Sequence, residues 1–508
     1  MSGEGPAQRE AETGALAAQI AGGSGLVFAG GIVDRGLRWA LKWALAGLVG
    51  PGPLGLIELA TRVSATITAF SPLGLDTGVV YFVARLRAAG DRPGLKGLIL
   101  AALGVSVLVG ALSGAGLSLY ALSGPAQDAP PGLVAALVAA GPLVALSTPL
   151  LTLIGLLRAA KDMRRSTLAF QVVLPLGLLL LTVPTVALGG GAVGAVVCMS
   201  AATLVSLTVA ARAVLGLWGP LLRDPAVVAR FSVGPLLAFS VPQSLTAAAF
   251  RLNQYFDVLI LGLFADAATV GVYAVASSVA GFGSVPSNAV ISMFNPFVAE
   301  LVASGDRQRL DRLLKAVSRW LVLISLPGFL FLMLLPDVVL MVYPDSFAGA
   351  APVLAVLALG QVVQTAAAPA MRLIPMSGHA GLNLANGIAA LVLNLGLSWW
   401  LVPTHGGMGA AWAGAITLSA WSIWRLGEVW WMLRCFPFDG RTLVLMGVAG
   451  AGALLIRFGL SEPALGERAA ALLGVFLVIG VLVAIQGKTT EDAALLQRVK
   501  GRLGRLRR

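Results

Sequence analysis

The sequence predicts an all-α polytopic membrane protein of about fourteen transmembrane helices. Two parallel six-helix lobes related by a pseudo-two-fold axis are followed by two C-terminal helices. Three observations predict this class. Residues are 58% hydrophobic and 11% charged, with a mean hydropathy of +0.90, whereas an ordinary soluble domain is about 25% charged. Apolar runs of about 20 residues, each long enough to cross hydrocarbon, recur from Leu26 to Ile485. Finally, basic residues collect in alternate connections, and one segment of the first half returns in the second.

The first 25 residues read as a polar tail without the apolar core of a signal peptide. Apolar cores follow at 26–49, 54–84, 98–122, 133–157, 168–188 and 193–217, which make the first lobe, residues 26–217. The polar segment LWGPLLRDPAVVAR contains an inter-lobe linker, 218–230. The second lobe, 231–435, has cores at 233–264, 270–298, 316–335, 350–374, 382–402 and 410–433. Two more spans occupy 436–487, and 488–508 is a basic tail whose apolar positions suit an amphipathic helix lying on a membrane or a solvated segment. The second, seventh and eighth cores exceed a straight crossing; bends are expected at SPLGLDTG (71–78), SVPQS (240–244) and SVPSN (284–288). Prolines 142, 149, 175, 184, 327 and 369 also suit hinges or static kinks.

The net charge of +12 does not point to nucleic acid, because of where the charges fall. Arg85, Arg87, Arg92 and Lys96 share one connection; Arg158, Lys161, Arg164 and Arg165 share another. Further groups lie at 212–230, 307–319, 372, 425–441 and in the tail, while the intervening connections are nearly free of Lys and Arg. The positive-inside rule then places both termini in the cytoplasm and makes the number of spans even. FVARLRAAGDR at 82–92 recurs as FVAELVASGDR at 297–307, and Gly55 corresponds to Gly271. A shift of six spans preserves orientation, so the halves are parallel repeats, as alternating access requires. Cys198 and Cys435 read as buried thiols, and neither they nor His379 and His405 suggest a metal site.

The candidate site lies in charges placed inside apolar spans. GIVDRGLRWALKWAL puts Asp34, Arg35, Arg38 and Lys42 on one helix face, flanked by Trp39 and Trp43. At 1.5 Å rise per residue, Arg35 falls about 13 Å and Lys42 about 24 Å from Leu26. A one-faced polar stripe of this kind points into a cavity instead of lipid. The second span adds Glu58 and Arg62, and the seventh adds RLNQYFD with Arg251 and Asp257. Arg35, Arg38, Lys42, Arg62 and Arg251 are therefore expected to bind substrate, with Asp34, Glu58 and Asp257 as pairing or ion-coupling groups. The excess of cations favours an anion such as a phosphate or pyrophosphate. Spans ending near Arg38, with snorkelling lysine and interhelical ion pairs, are the alternative reading of the same residues.

The run LVGPGPLGLIELATRV, followed by SPLGLDTGVVYFVARLRAAGD, resembles the first spans of polysaccharide (O-antigen type) flippases. These belong to the multidrug/oligosaccharidyl-lipid/polysaccharide exporter superfamily. RLNQYFDVLILGLFADAATVGVYAVASSV is similar to the seventh-to-eighth-span region of that family, and the resemblance covers roughly 26–435. GPGPLG departs from the family pattern, in which an acidic residue often follows the proline. The resemblance implies a non-enzymatic carrier, without cofactors, that moves a polyprenyl-pyrophosphate-linked oligosaccharide across the bacterial inner membrane for lipopolysaccharide or O-antigen assembly. Its expected partners are that lipid, membrane lipids and polysaccharide assembly machinery, with the carrier itself a monomer. A cation-coupled multidrug exporter and a lipid II type flippase are the alternatives within the superfamily. A membrane glycan polymerase or ligase is a distant one, because no outer connection is long and polar enough to house such chemistry.

Overall fold

The computed structural model describes residues 6–123, 131–284, 306–377, 379–458 and 465–486, with isolated positions between 285 and 305. Among these every regular element is helical, and nine helices are long and apolar enough to cross a membrane. Two of these nine are hairpins, folded back where Gly189 and Gly406 take positive φ. A further helix, carrying the Asp34–Lys42 charges, is also long enough to cross. The chain is a multi-pass membrane protein. It divides into two compact units, Met1–Gly271 and Val272–Arg508.

In the first unit, α1 runs from Pro6 to Val49, so helix extends well upstream of the expected start at Leu26. It ends at Gly50, whose φ of 72° is open to glycine, and prolines at the next turn start α2, Pro51–Phe70. The bend expected at 71–78 is present. Leu73 and Gly74 have φ of 50° and 72°, which breaks the span into α2 and α3, Leu75–Ala88. At the break the Ser71 and Thr148 hydroxyls share a buried 2.6 Å hydrogen bond, which joins α2 to α5. α4 (Arg92–Leu122) and α5 (Pro131–Ala159) pack closely because Gly110 and Gly114 leave room for the α5 backbone around Gly141 and Ala145. Then come α6 (Met163–Thr167), a π-turn at 168–173, α7 (Leu174–Thr185), a second π-turn and α8 (Gly191–Arg223). A core of Ala60, Leu117, Ala121, Ala136, Ala140, Val144 and Val196 joins α2, α4, α5 and α8.

The seventh span breaks elsewhere than expected. α9 (Val233–Leu252) passes through Pro242 without interruption, and the chain turns at 253–255 before α10, Phe256–Phe264. Proline is tolerated in membrane helices where neighbouring groups take up the freed carbonyl. At 253–255 the backbone closes tight turns instead, with Gln254 N–H donating to the Arg251 carbonyl at 3.0 Å and Tyr255 N–H to the Leu252 carbonyl at 2.9 Å. The bend expected at 284–288, most of FVAELVASGDR and the basic tail 488–508 lie outside the described residues.

Gly55 and Gly271, paired by the sequence repeat, meet in space. A β-carbon on Gly55 would strike the carbonyl of Ala267, and one on Gly271 would strike the carbonyl of Pro51. Each glycine thus faces the residue four positions before the other, the reciprocal pattern of a local two-fold. The aspartates of the repeated GDR also fold alike. Asp91 and Asp306 have φ/ψ of −78°/81° and −77°/78°, and each caps the following helix by accepting a backbone N–H three residues on.

The second unit contains α11 residues beyond Gly271 (the helix is Ala267–Phe282), α12 (Arg307–Leu334), α13 (Pro336–Leu340) and α14 (Ala350–Met371). It continues with α15 (Leu373–Met376), the hairpin α16 (Ala380–Leu433), α17 (Gly440–Phe458) and α18 (Leu465–Gln486). Arg319 and Arg425, read from sequence as loop cations, are buried inside α12 and α16. Arg425 donates to the Met371 carbonyl at 2.8 Å and to Asn383 at 2.7 Å, so it ties α16 to the end of α14. Its hydrogen bonds offset the cost of burial, which a window of sequence does not reveal.

Gly55→Leu should lower stability by about 1–3 kcal/mol through forced separation of backbones, read as a drop in the thermal unfolding midpoint of the purified protein. Gly52→Leu, with open space around its β-carbon, is the control and should change little. Asp439, which caps α17, feels an upward push from burial. The hydrogen bonds from Thr442 and the nearby Arg319 outweigh it and hold the carboxyl below its usual range. A lowered folded-state value means stabilisation that is present above the ordinary carboxylate range and lost as pH falls through the lowered value. The stability gap between wild type and Asp439→Asn should therefore close below about pH 4.

Candidate functional site

The charged face of α1 meets α2 inside the first unit. Lys42 Nζ lies 2.6 Å from Glu58 Oε1, and Arg62 Nε lies 3.5 Å from Glu58 Oε2. Each carboxylate oxygen therefore serves a different cation. Glu58 is buried, and Arg62 keeps about a quarter of its side chain exposed. The spacing explains the arrangement: Glu58 and Arg62 are one turn apart on α2, so both project toward the same level of α1. The three charges sum to one net positive.

The break in the seventh span supplies the next layer. Tyr255, in the turn, places its ring 5.3 Å from the Arg62 guanidinium carbon, a cation–π contact that orients the fork. The two half-helices end at this turn with charges that suit them. Arg251 occupies the last turn of α9, and Asp257 the first turn of α10, where Oδ1 accepts the Val258 N–H at 2.8 Å. Interrupted helices of this kind are where transporters commonly build binding sites.

The eight residues expected to share a cavity separate into groups. Lys42, Glu58 and Arg62 come together. Asp34 and Arg38 pair with each other at 2.7 Å one turn further along α1. Arg35 is exposed, with no carboxylate within 4 Å among the described residues. Arg251 stands apart from the triad; its charge acts on Arg158, at the end of α5, together with that of Asp76. Sequence reasoning did not single out Tyr255, Asp76 or Arg158. Tyr255 stood within the quoted RLNQYFD, but an aromatic there carries no charge signal. Arg158 had been counted with the loop cations.

Residues 22–301, more than half of the chain, match the family described as polysaccharide biosynthesis protein. The chain belongs to this family. A probable low-salt glycan biosynthesis flippase, Agl15 of Haloferax volcanii, is 26% identical over 167 residues, which cover 33% of this chain and 35% of that protein. The match thus spans about a third of that relative. Among solved structures, the lipid II flippase MurJ in an inward closed conformation covers 91% of this chain and 98% of its own, with a TM-score of 0.67 at 12% identity. An inward-facing multidrug resistance MATE family transporter of the MOP superfamily covers 79% and 94%, with a TM-score of 0.65 at 20% identity. A MOP superfamily transporter from Pyrococcus furiosus, reported for the reverse polarity of its binding pocket, covers 81% and 95% at a TM-score of 0.56 and 19% identity. At these identities the structural likeness establishes a shared fold. The family and its structural neighbours are flippases and transporters, not enzymes.

Replacing Glu58 with Gln leaves two cations facing each other in apolar surroundings. Glu58→Gln should cost about 3 kcal/mol, and adding Lys42→Met should recover part of that loss. Thermal unfolding of the two variants in the same detergent checks both expectations.

Proposed function

We propose that the protein flips a polyprenyl-pyrophosphate-linked oligosaccharide from the cytoplasmic to the outer leaflet of the plasma membrane. Its termini are then cytoplasmic, and the glycan is destined for cell-surface polysaccharide of the O-antigen or lipopolysaccharide kind. The observation that carries this reading is the Lys42–Glu58–Arg62 triad. Its two cations are held by one carboxylate, so a dianionic pyrophosphate can take over both. Guanidinium offers paired hydrogen bonds to phosphate oxygens, and the ammonium offers a point charge.

Exchange also suggests how transport is coupled. When an anion takes Lys42 and Arg62, Glu58 loses its partners while remaining buried. An unpaired carboxylate in such a place is unfavourable, so it gains from a proton or a small cation. Glu58 is therefore a better coupling candidate than Asp34, which already has Arg38, or Asp257, which sits at a helix N-terminus.

A cation exporter built on the same fold is the second reading, favoured by the likeness to a multidrug transporter. The net positive triad speaks against organic cations as cargo. In proteoliposomes carrying a fluorescent polyprenyl-pyrophosphate sugar, Lys42→Ala and Arg62→Ala should each slow translocation about tenfold or more. The exposed Arg164→Ala should leave it unchanged. Transport of ethidium by the wild type, with no movement of the pyrophosphate lipid, would replace this reading with the exporter.

A further inference from the structure

A second group of cations lies at the end of the first unit that carries Arg85, Arg87, Arg92 and Lys96. A cavity of 650 Å³ opens there, lined by Asp76, Tyr81 and Arg85 of α3 and by Arg158 of α5. Its volume lies within the range of small-molecule sites, about 300–1,000 Å³. Gly155 makes the arrangement possible: a β-carbon at that position would run into the backbone of Asp76, so only glycine lets α3 settle against α5.

The basic residues nearby differ in what they hold. Arg87 stacks on Trp218 at 4.5 Å. Arg92 reaches the Asp224 carboxylate at 3.5 Å, and Lys96 donates to the Asp224 carbonyl at 2.8 Å. Arg230 pairs with Asp91. Arg92, Lys96 and Arg230 fasten the segment after α8 to the start of α4, and Arg87 ties α3 to α8. Arg85 and Arg158 take no part in that fastening, and among the described residues neither has a carboxylate within 4 Å. They are also the two that line the cavity. With Arg251 acting on Arg158 and Asp76 opposing it, the local charge is two positive in excess. Tyr81 completes the wall, with one ring face stacked on Phe239 at 4.5 Å and nearly half of the residue exposed. A fixed aromatic beside unengaged guanidinium groups suits a phosphate attached to a sugar ring.

We propose that this cavity is a loading site for the phosphate-bearing headgroup of the cargo, separate from the Lys42–Glu58–Arg62 triad. The proposal rests on the flippase reading above and adds an order to it. At the triad an anion must displace Glu58 before it gains either cation. At Arg85 and Arg158 it displaces no carboxylate, so this site is occupied first. Its cations are exposed, so binding here weakens with ionic strength.

The test uses full-length purified protein in detergent with farnesyl pyrophosphate as the probe, by isothermal titration calorimetry. Arg85→Ala/Arg158→Ala should bind about tenfold or more weaker than wild type. Arg85→Lys/Arg158→Lys, which keeps both charges, should retain most of the affinity, and unfolding midpoints confirm that the variants are folded. Lys42→Ala/Arg62→Ala should still bind the probe while failing to translocate lipid. Wild-type affinity in the Arg85/Arg158 alanine variant, with loss in the Lys42/Arg62 variant, would overturn the loading site and leave the triad as the first contact. Absence of probe binding by the wild type would overturn both readings together.

Discussion

Glu58 is the group on which the candidate site depends. It is a buried carboxylate with a cation on each oxygen, Lys42 from α1 and Arg62 from its own helix. Burying one charge is costly, and a pair offsets that cost only with good geometry. Here the geometry comes from two helix faces held side by side by the short turn at Gly50. The same carboxylate holds both cations together, so the contact that joins α1 to α2 also gathers the charges proposed to bind substrate.

Around this triad the first unit is built from interruptions. α2 gives way to α3 at Leu73 and Gly74, and α9 gives way to α10 at 253–255. Each break frees backbone groups that lipid cannot satisfy, and turn bonds take some of them up: Leu73 N–H donates to the Phe70 carbonyl at the first break, and Gln254 and Tyr255 N–H donate to the Arg251 and Leu252 carbonyls at the second. The breaks also set charge at half-helix ends, Arg251 at a C-terminus and Asp257 at an N-terminus, where the helix dipole favours them. Between the interruptions, close helix packing relies on glycine: Gly55 against Ala267, and Gly110 and Gly114 against α5. Small residues supply contact where no hydrophobic driving force distinguishes protein from lipid.

The basic connections have a second ingredient that charge counting overlooks. Asp91, Asp162, Asp306 and Asp439 each lie among basic residues and each caps the helix that follows. The aspartate marks where the next helix begins, and the cations around it are the feature that the positive-inside rule reads. Both features fit within a few residues.

The sequence by itself determined the all-helical, multi-pass class, because hydropathy is a local pattern, and it marked Asp91 and Asp306 as equivalent positions that both turn out to cap helices. It also found Lys42, Glu58 and Arg62, since an ionised residue in an apolar run stands out without any structure. Only the tertiary structure decided which charges share a partner. It joined Lys42 to Glu58, left Asp34 with Arg38 and buried Arg425 and Arg319 inside helices. It also moved the bend of the seventh span from Pro242 to 253–255. Pairing depends on distances between helices far apart in the chain, and periodicity along one helix reports which face a charge occupies but not what that face meets.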